Sequence, residues 1–165
     1  MKHQHTPNLS DKSEGSYLCF SLGKEKFAMP LLQVKEVIAN AETTNIPQAP
    51  PYFRGIINLR GQVISVLDLR SKLKIGKAES TPETTIVILD IGEHSLGAIV
   101  DSVDSVASFE ADEISAPPSH DSSAKIDFIV GVAKREKDLV LIIDIKKALN
   151  TDDMKAVRSQ VQKVA

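Results

Sequence analysis

One half of this chain repeats the other, and that limits its possible folds more than any other feature. Shifted by 69 residues, Tyr-Leu-Cys-Phe-Ser-Leu-Gly at 17–23 falls on Ile-Val-Ile-Leu-Asp-Ile-Gly at 86–92. The same shift carries Leu31, Val34 and Val37 onto Val100, Val103 and Val106. Shifted by 76, Gly55 meets Gly131, Asp68 meets Asp144 and Leu73 meets Leu149, and the apolar run Val63–Leu67 recurs as Leu139–Ile143. The 7 extra residues fall in a Ser-, Pro- and Asp-rich loop around 111–125. Apolar runs match between any two strands, so the glycines and aspartates held in register carry the argument. A unit of about 60 residues buries only about 60% of its unfolded surface by itself, so the two units should pack together.

Within each unit the pattern is strand, tight turn, strand. Tyr17–Leu22 turns at Gly23-Lys24 into Glu25–Met29, and Thr85–Ile91 turns at Gly92-Glu93 into His94–Val100. Phe128–Ala133 turns through 134–138 into Leu139–Ile143. Short strands at this spacing predict an all-β barrel or sandwich and not a doubly wound sheet. With 4% aromatic residues and no Trp, the core must be built from Ile, Val and Leu, which suits pleated faces. The expected fold is all-β with short helices: two pseudo-symmetric five-stranded β-barrel lobes packed around a shared aliphatic core. Residues 1–16 read as a disordered polar tail, 17–150 as the paired lobes (repeats about 17–73 and 86–149), and 151–165 as a C-terminal helix or tail.

Charge and chemistry exclude several functions. Twenty Lys and Arg against 22 Asp and Glu give a net charge of −2, without the basic stripe of a nucleic-acid binder. The single cysteine, Cys19, allows no internal disulfide. By alternation it shares a strand face with Tyr17 and Ser21, an ordinary strand position. No apolar run reaches the about 18 residues of a membrane span, and the N-terminus lacks a signal-peptide core, so a soluble cytoplasmic protein is expected. His3, His5, His94 and His120 have no metal-ligand spacing with Cys or carboxylates, so no metal or cofactor is expected. Asp68 and Asp144 each follow a strand and precede basic residues, where a helix N-cap belongs. Phosphate loops and nucleophile elbows are absent. The chain is not expected to be an enzyme.

What a plain scaffold does not require is the polar cluster Asn58-Leu59-Arg60-Gly61 between two aliphatic strands, because polar residues on a loop held by a rigid frame commonly carry function. The two halves differ here. Glu36 corresponds to Ser105, and Asn58 and Arg60 correspond to Lys134 and Glu136. A carboxylate and a guanidinium kept on one side only suggest an ion pair that serves as a brace, as a partner contact, or as both. Leu31, Val34 and Val37 recur every three residues, as a helical turn with one apolar edge would. Paired with Val100, Val103 and Val106, this edge predicts an aliphatic groove at the lobe boundary that could receive an amphipathic helix.

Over 17–150 the sequence resembles the CheW family of bacterial chemotaxis coupling proteins. The resemblance rests on Val34-Lys35-Glu36-Val37, Ile46-Pro47, Pro51-Tyr52-Phe53-Arg54-Gly55-Ile56-Ile57-Asn58-Leu59-Arg60-Gly61 and Leu67-Asp68-Leu69. It continues through Gly97-Ala98-Ile99-Val100-Asp101-Ser102-Val103 and Leu141-Ile142-Ile143-Asp144-Ile145. Ser65 departs from it, since the family often has Pro after the turn. The resemblance implies two five-stranded barrels and no catalysis. It implies an adaptor between chemoreceptor cytoplasmic tips and the regulatory domain of the histidine kinase CheA, meeting the membrane only through receptors. By position, the receptor-binding groove would comprise Leu31, Val34, Val37 and Val103, with Glu36, Asn58 and Arg60 beside it. The region around Gly55 is a candidate kinase contact. The competing reading within the family is an adaptor for a non-chemotactic kinase pathway, in surface motility or gene control.

Overall fold

The computed structural model describes residues 15–76, 79–117 and 128–164, with side chains as far as residue 158. The first repeat opens with a hairpin, β1 (Ser16–Leu22) and β2 (Glu25–Pro30). A 3-10 turn at Leu31–Gln33 leads into β3 (Val34–Ala39). A second hairpin, β4 (Phe53–Leu59) and β5 (Gln62–Asp68), ends in the short helix α1 (Leu69–Lys72). The second repeat restates this order as β6 (Thr85–Asp90), β7 (Ser95–Val100) and β8 (Ser102–Ser108). A 3-10 turn at Ala111–Glu113 and the two-residue β9 (Ile114–Ser115) follow, then β10 (Ile129–Arg135), β11 (Asp138–Ile143) and α2 (Ile145–Ala148). The helix α3 (Thr151–Val164) comes last, and among the described residues the first repeat has no equivalent of it. Of the expected N-terminal tail, 1–14 lie outside the described residues, while Ser16 is buried and begins β1.

The sheets do not follow the repeat boundary. The six-stranded sheet has the order β8-β1-β2-β11-β10-β9 and the five-stranded sheet β3-β6-β7-β5-β4. Each repeat therefore lends its leading hairpin to the other's sheet, and neither lobe is made from one repeat alone. The pseudo-symmetry extends to irregularities. Register slips occur between Phe53 and Gly55 in β4 and between Ile129 and Gly131 in β10. Another slip lies between Val34 and Glu36 in β3, and β8 slips between Val103 and Ser105 against Phe20 and Cys19. The parallel joins also correspond, with Phe27 opposite Leu141 and Ser65 opposite Leu96. No ladder joins the two edges of either sheet among the described residues. Each lobe closes through the chain beyond its edge strand: Thr44, past β3, bridges Ile56 in β4, and β9, past β8, pairs with β10.

Three apolar clusters fill the molecule. The largest takes Leu18, Phe20, Phe27 and Met29 from one sheet and Leu67, Val87, Leu89 and Leu96 from the other, so the lobes share it. Ala28, Ala107, Phe109, Ala133 and Ile142 fill the six-stranded lobe, and Ile57, Ile64, Val66, Ile86 and Ile88 the five-stranded one. The central strands thus have both faces covered, which accounts for their continuous Ile/Val/Leu runs. The aspartates at the strand ends are caps. Asp68 accepts from the Arg70 and Ser71 amides at 3.1 and 3.4 Å, and Asp144 from the Lys146 amide at 3.0 Å.

The helical turn expected at Leu31, Val34 and Val37 is corrected. Only Leu31–Gln33 is helical, and Val34–Ala39 is a strand paired with β6. A bulge produces the three-residue spacing. Val34 lies opposite Leu89 and Val37 opposite Val87, so one extra residue between them returns both valines to the same face. In β8 the same device places Val103 opposite Phe20 and Val106 opposite Leu18.

Candidate functional site

The polar cluster is held by the turn between β4 and β5. Leu59 pairs with Gln62, which leaves Arg60 and Gly61 as a two-residue loop. Their φ angles are 52° and 86°, both positive as a type I′ hairpin turn requires. Asn58 Oδ1 accepts the Gly61 amide at 2.8 Å and sets the turn. From there Arg60 Nη2 donates to Glu36 Oε1 at 2.5 Å. β3 and β4 are opposite edges of the five-stranded sheet, so this pair spans the mouth of the curled lobe. Arg60 is 72% exposed and Glu36 30%, so the pair contributes about 0–1 kcal/mol to stability. It braces lightly and leaves its donors in solvent. At the equivalent mouth of the other lobe stand Ser105 and Glu136, in a 230 Å³ cavity also lined by Cys19, Phe109 and Arg135. Burial pushes the Cys19 thiol up from its ordinary value, against a hydrogen bond with Ser105.

The aliphatic members are divided between the two sheets, Leu31, Val34 and Val37 at and before β3 and Val103 on β8. Leu31, Val34 and Val103 pack, half-buried, against the shared core. Val37 and its equivalent Val106 stand cross-strand from core residues but are 43% and 58% exposed. Each therefore marks the outer rim of the interlobe core on an edge strand of a different sheet. Buried side chains from both sheets form the core beneath the seam between the lobes, with Leu31, Val34 and Val103 half-buried above it. The predicted residues also divide between two faces. Glu36 lies opposite Ile88, an interior residue of the five-stranded lobe, and Val37 opposite Val87 of the shared core. β3 thus carries Glu36 on one face and the valine rim on the other.

Gly55 has a backbone reason to be glycine. It is buried at φ +135°, and a Cβ there would stand 2.1 Å from the Thr44 carbonyl oxygen. Its absence lets the chain beyond β3 bridge Ile56. The exposed group at this position is its neighbour Arg54, the bulged residue, which donates to Asp68 Oδ2 at 2.8 Å.

Sequence reasoning missed this pair and three others, one of them Lys26–Asp104 at 3.3 Å. Arg70 Nη1 donates to Asp101 Oδ2 at 2.8 Å, and the same oxygen accepts the Gly23 amide at 2.6 Å. Lys72 Nζ donates to Asp153 Oδ2 at 2.6 Å. The local signal for Arg54 and Arg70 was their closeness to the Asp68 cap, but their partners become visible only in three dimensions. A 330 Å³ cavity beside Arg54, Asp68 and Asp101 has a mixed lining, with Asn40, Thr43 and Thr84 alongside Ala41 and Ile99. Among the described residues no group of three or more His, Cys, Asp or Glu is placed to hold a metal ion. No helix among them is long and apolar enough to cross a membrane.

Comparison with known proteins places this geometry in a family. A family model described as a CheW-like domain matches residues 16–153. The chemotaxis protein CheW of Bacillus subtilis is 33% identical over 144 residues, covering 86% of this chain and 90% of that protein. CheW of Klebsiella aerogenes is 28% identical over 141 residues, covering 86% and 85%. The crystal structure of scaffolding protein TtCheW from Thermoanaerobacter tengcongensis superposes with a TM-score of 0.77 at 31% identity, covering 84% of this chain and 94% of that one.

Proposed function

This chain belongs to the CheW family of chemotaxis coupling proteins, and from that premise we propose that it joins chemoreceptor tips to the histidine kinase CheA and sets the kinase's autophosphorylation. The observation that carries the reading is the likeness to a scaffolding protein over 94% of that protein's length, together with a two-lobed fold that offers surfaces for partners. Leu31, Val34, Val37 and Val103 are the proposed seat for a receptor helix, since one exposed and three half-buried aliphatic side chains beside a rigid core suit an amphipathic helix. Asn58, Arg60 and Glu36 supply the polar contacts. The kinase is assigned to the end of the lobe around Gly55, through the exposed Arg54. Any association with a membrane runs through the receptors.

A scaffold of this kind needs no chemistry. It shifts the kinase between states by as much as its affinities for those states differ. The test is reconstitution of receptor-containing membranes with CheA, with this protein added in increasing amounts while autophosphorylation is followed. Receptor-dependent control that appears only with the protein supports the reading. If CheA is unaffected while a kinase of another pathway responds, the adaptor serves that pathway instead. Absence of binding to both receptor and kinase refutes it.

A further inference from the structure

Among the described residues, the C-terminal helix α3 is the one large element outside the duplicated fold. Residues 149–150 tether it, and it enters no sheet. Its first two turns press Met154, Ala156 and the fully buried Val157 onto the interlobe core. Its charged contact is unusual for a surface helix. Asp153 is 0% exposed and Lys72, at the end of α1, 12%, and their atoms meet at 2.6 Å. Lys72 also lies 4.4 Å over the Tyr52 ring. Among the described residues the second carboxylate oxygen, Asp153 Oδ1, has no partner. Burial lowers the Lys72 ammonium and raises the Asp153 carboxyl, so both charges sit against a desolvation cost, which their mutual contact, the Asn150 amide on Asp153 and the Tyr52 ring under Lys72 offset.

We propose that the Lys72–Asp153 pair is a latch: it holds α3 over the interlobe core, and when it opens α3 leaves as a unit while both sheets stay folded. Three features favour release of the helix alone. The first repeat completes its sheet strands without a helix in this place. The start of α3 is fastened locally, because Asn150 Oδ1 accepts the Asp153 amide at 2.8 Å and Asp153 Oδ2 accepts the Asn150 amide at 3.0 Å. Finally, a free helix of 14 residues is marginal in water, so a released α3 would lose its amide protection at once. Release would uncover the aliphatic seat of Met154 and Val157 where the two lobes meet, making α3 a regulator of access to that junction.

Amide hydrogen exchange on the full chain tests this, read on peptides from α3 and from both sheets. Asp153→Asn keeps the shape and the acceptor for the Asn150 amide while removing the charge. Amides of α3 should exchange on the order of 100-fold faster in it, as loss of one partner of a buried pair implies, with sheet amides unchanged. Lys72→Met should do the same and serves if the first variant does not fold. The proposal is overturned if α3 in the unaltered protein is protected to the same level as the sheets and all peptides shift together. It is equally overturned if neither variant changes the exchange of α3.

Discussion

Replacing Arg60 by alanine separates a brace from a contact. Both members of the Glu36–Arg60 pair reach water, so their attraction is screened and contributes about 0–1 kcal/mol. Arg60 also sits at φ 52°, where alanine is no better accommodated than arginine, so the backbone neither gains nor loses. For a chain of this size 1 kcal/mol moves Tm by roughly 2–4 °C. Arg60→Ala and Glu36→Ala should each stay within that shift, and the double variant should give a coupling at or below about 1 kcal/mol. An arginine anchoring an interface typically costs about 2 kcal/mol or more on truncation, roughly 30-fold in affinity. Arg60→Ala should therefore raise by that order the amount of protein needed for half-maximal control of the kinase by receptors. Thermal unfolding supplies the stability cycle, and titration into receptor membranes with kinase supplies the functional half. A coupling of about 3 kcal/mol or more would show the pair to be a buried-type brace. A folded Arg60→Ala protein with an unchanged half-maximal amount would remove Arg60 from the partner surface.

Three further outcomes follow from the geometry. Gly55→Ala drives a methyl into the Thr44 carbonyl and forces a residue with a side chain to φ +135°, so it should cost at least about 1–3 kcal/mol; a melting temperature equal to that of the unaltered protein refutes the close approach. Ser65 is fully buried and its Oγ has no partner among the described residues, so Ser65→Ala should leave stability unchanged or raise it by up to about 1 kcal/mol, with a clear loss in denaturant titration counting against this. For Cys19 the folded thiol titrates above its ordinary value of 9.0 because burial disfavours the thiolate. Its contribution to stability is thus full below the unfolded pKa and is lost as pH rises towards the folded one. Alkylation at pH 8 should accordingly be slower in the native protein than in the unfolded chain, and equal rates would contradict the burial argument.

Much of this architecture was legible because its signals are local. The Asp68 and Asp144 caps and the Arg60-Gly61 turn each depend on residue types within a few positions of one another, and the repeat is read by laying such local patterns over each other at a fixed shift. The charged pair of Glu36 and Arg60 was legible for another reason: only one repeat carries those two charges. The apolar spacing of Val34 and Val37 misled, since three residues are one helical turn and also one bulged step of a strand. Pairing with β6 selected the strand. The exchange of hairpins left no trace in the pattern, because the same faces are buried whichever sheet receives them. Lys72 and Asp153, 81 positions apart, were invisible for a related reason: nothing near either residue announces a buried charge.

The hairpin exchange makes this molecule resemble an interlocked dimer whose two subunits have been tied end to end. A fragment ending after α1 would keep β1 and β2 but lose the strands they lie against, and would leave β3, β4 and β5 without their two central neighbours. Neither lobe should therefore fold or unfold separately. Force applied to one lobe must pass through backbone ladders shared with the other, so a partner gripping one end also holds the far end in a fixed orientation. That rigidity would serve the proposed adaptor, which has to hold two larger molecules at a constant angle.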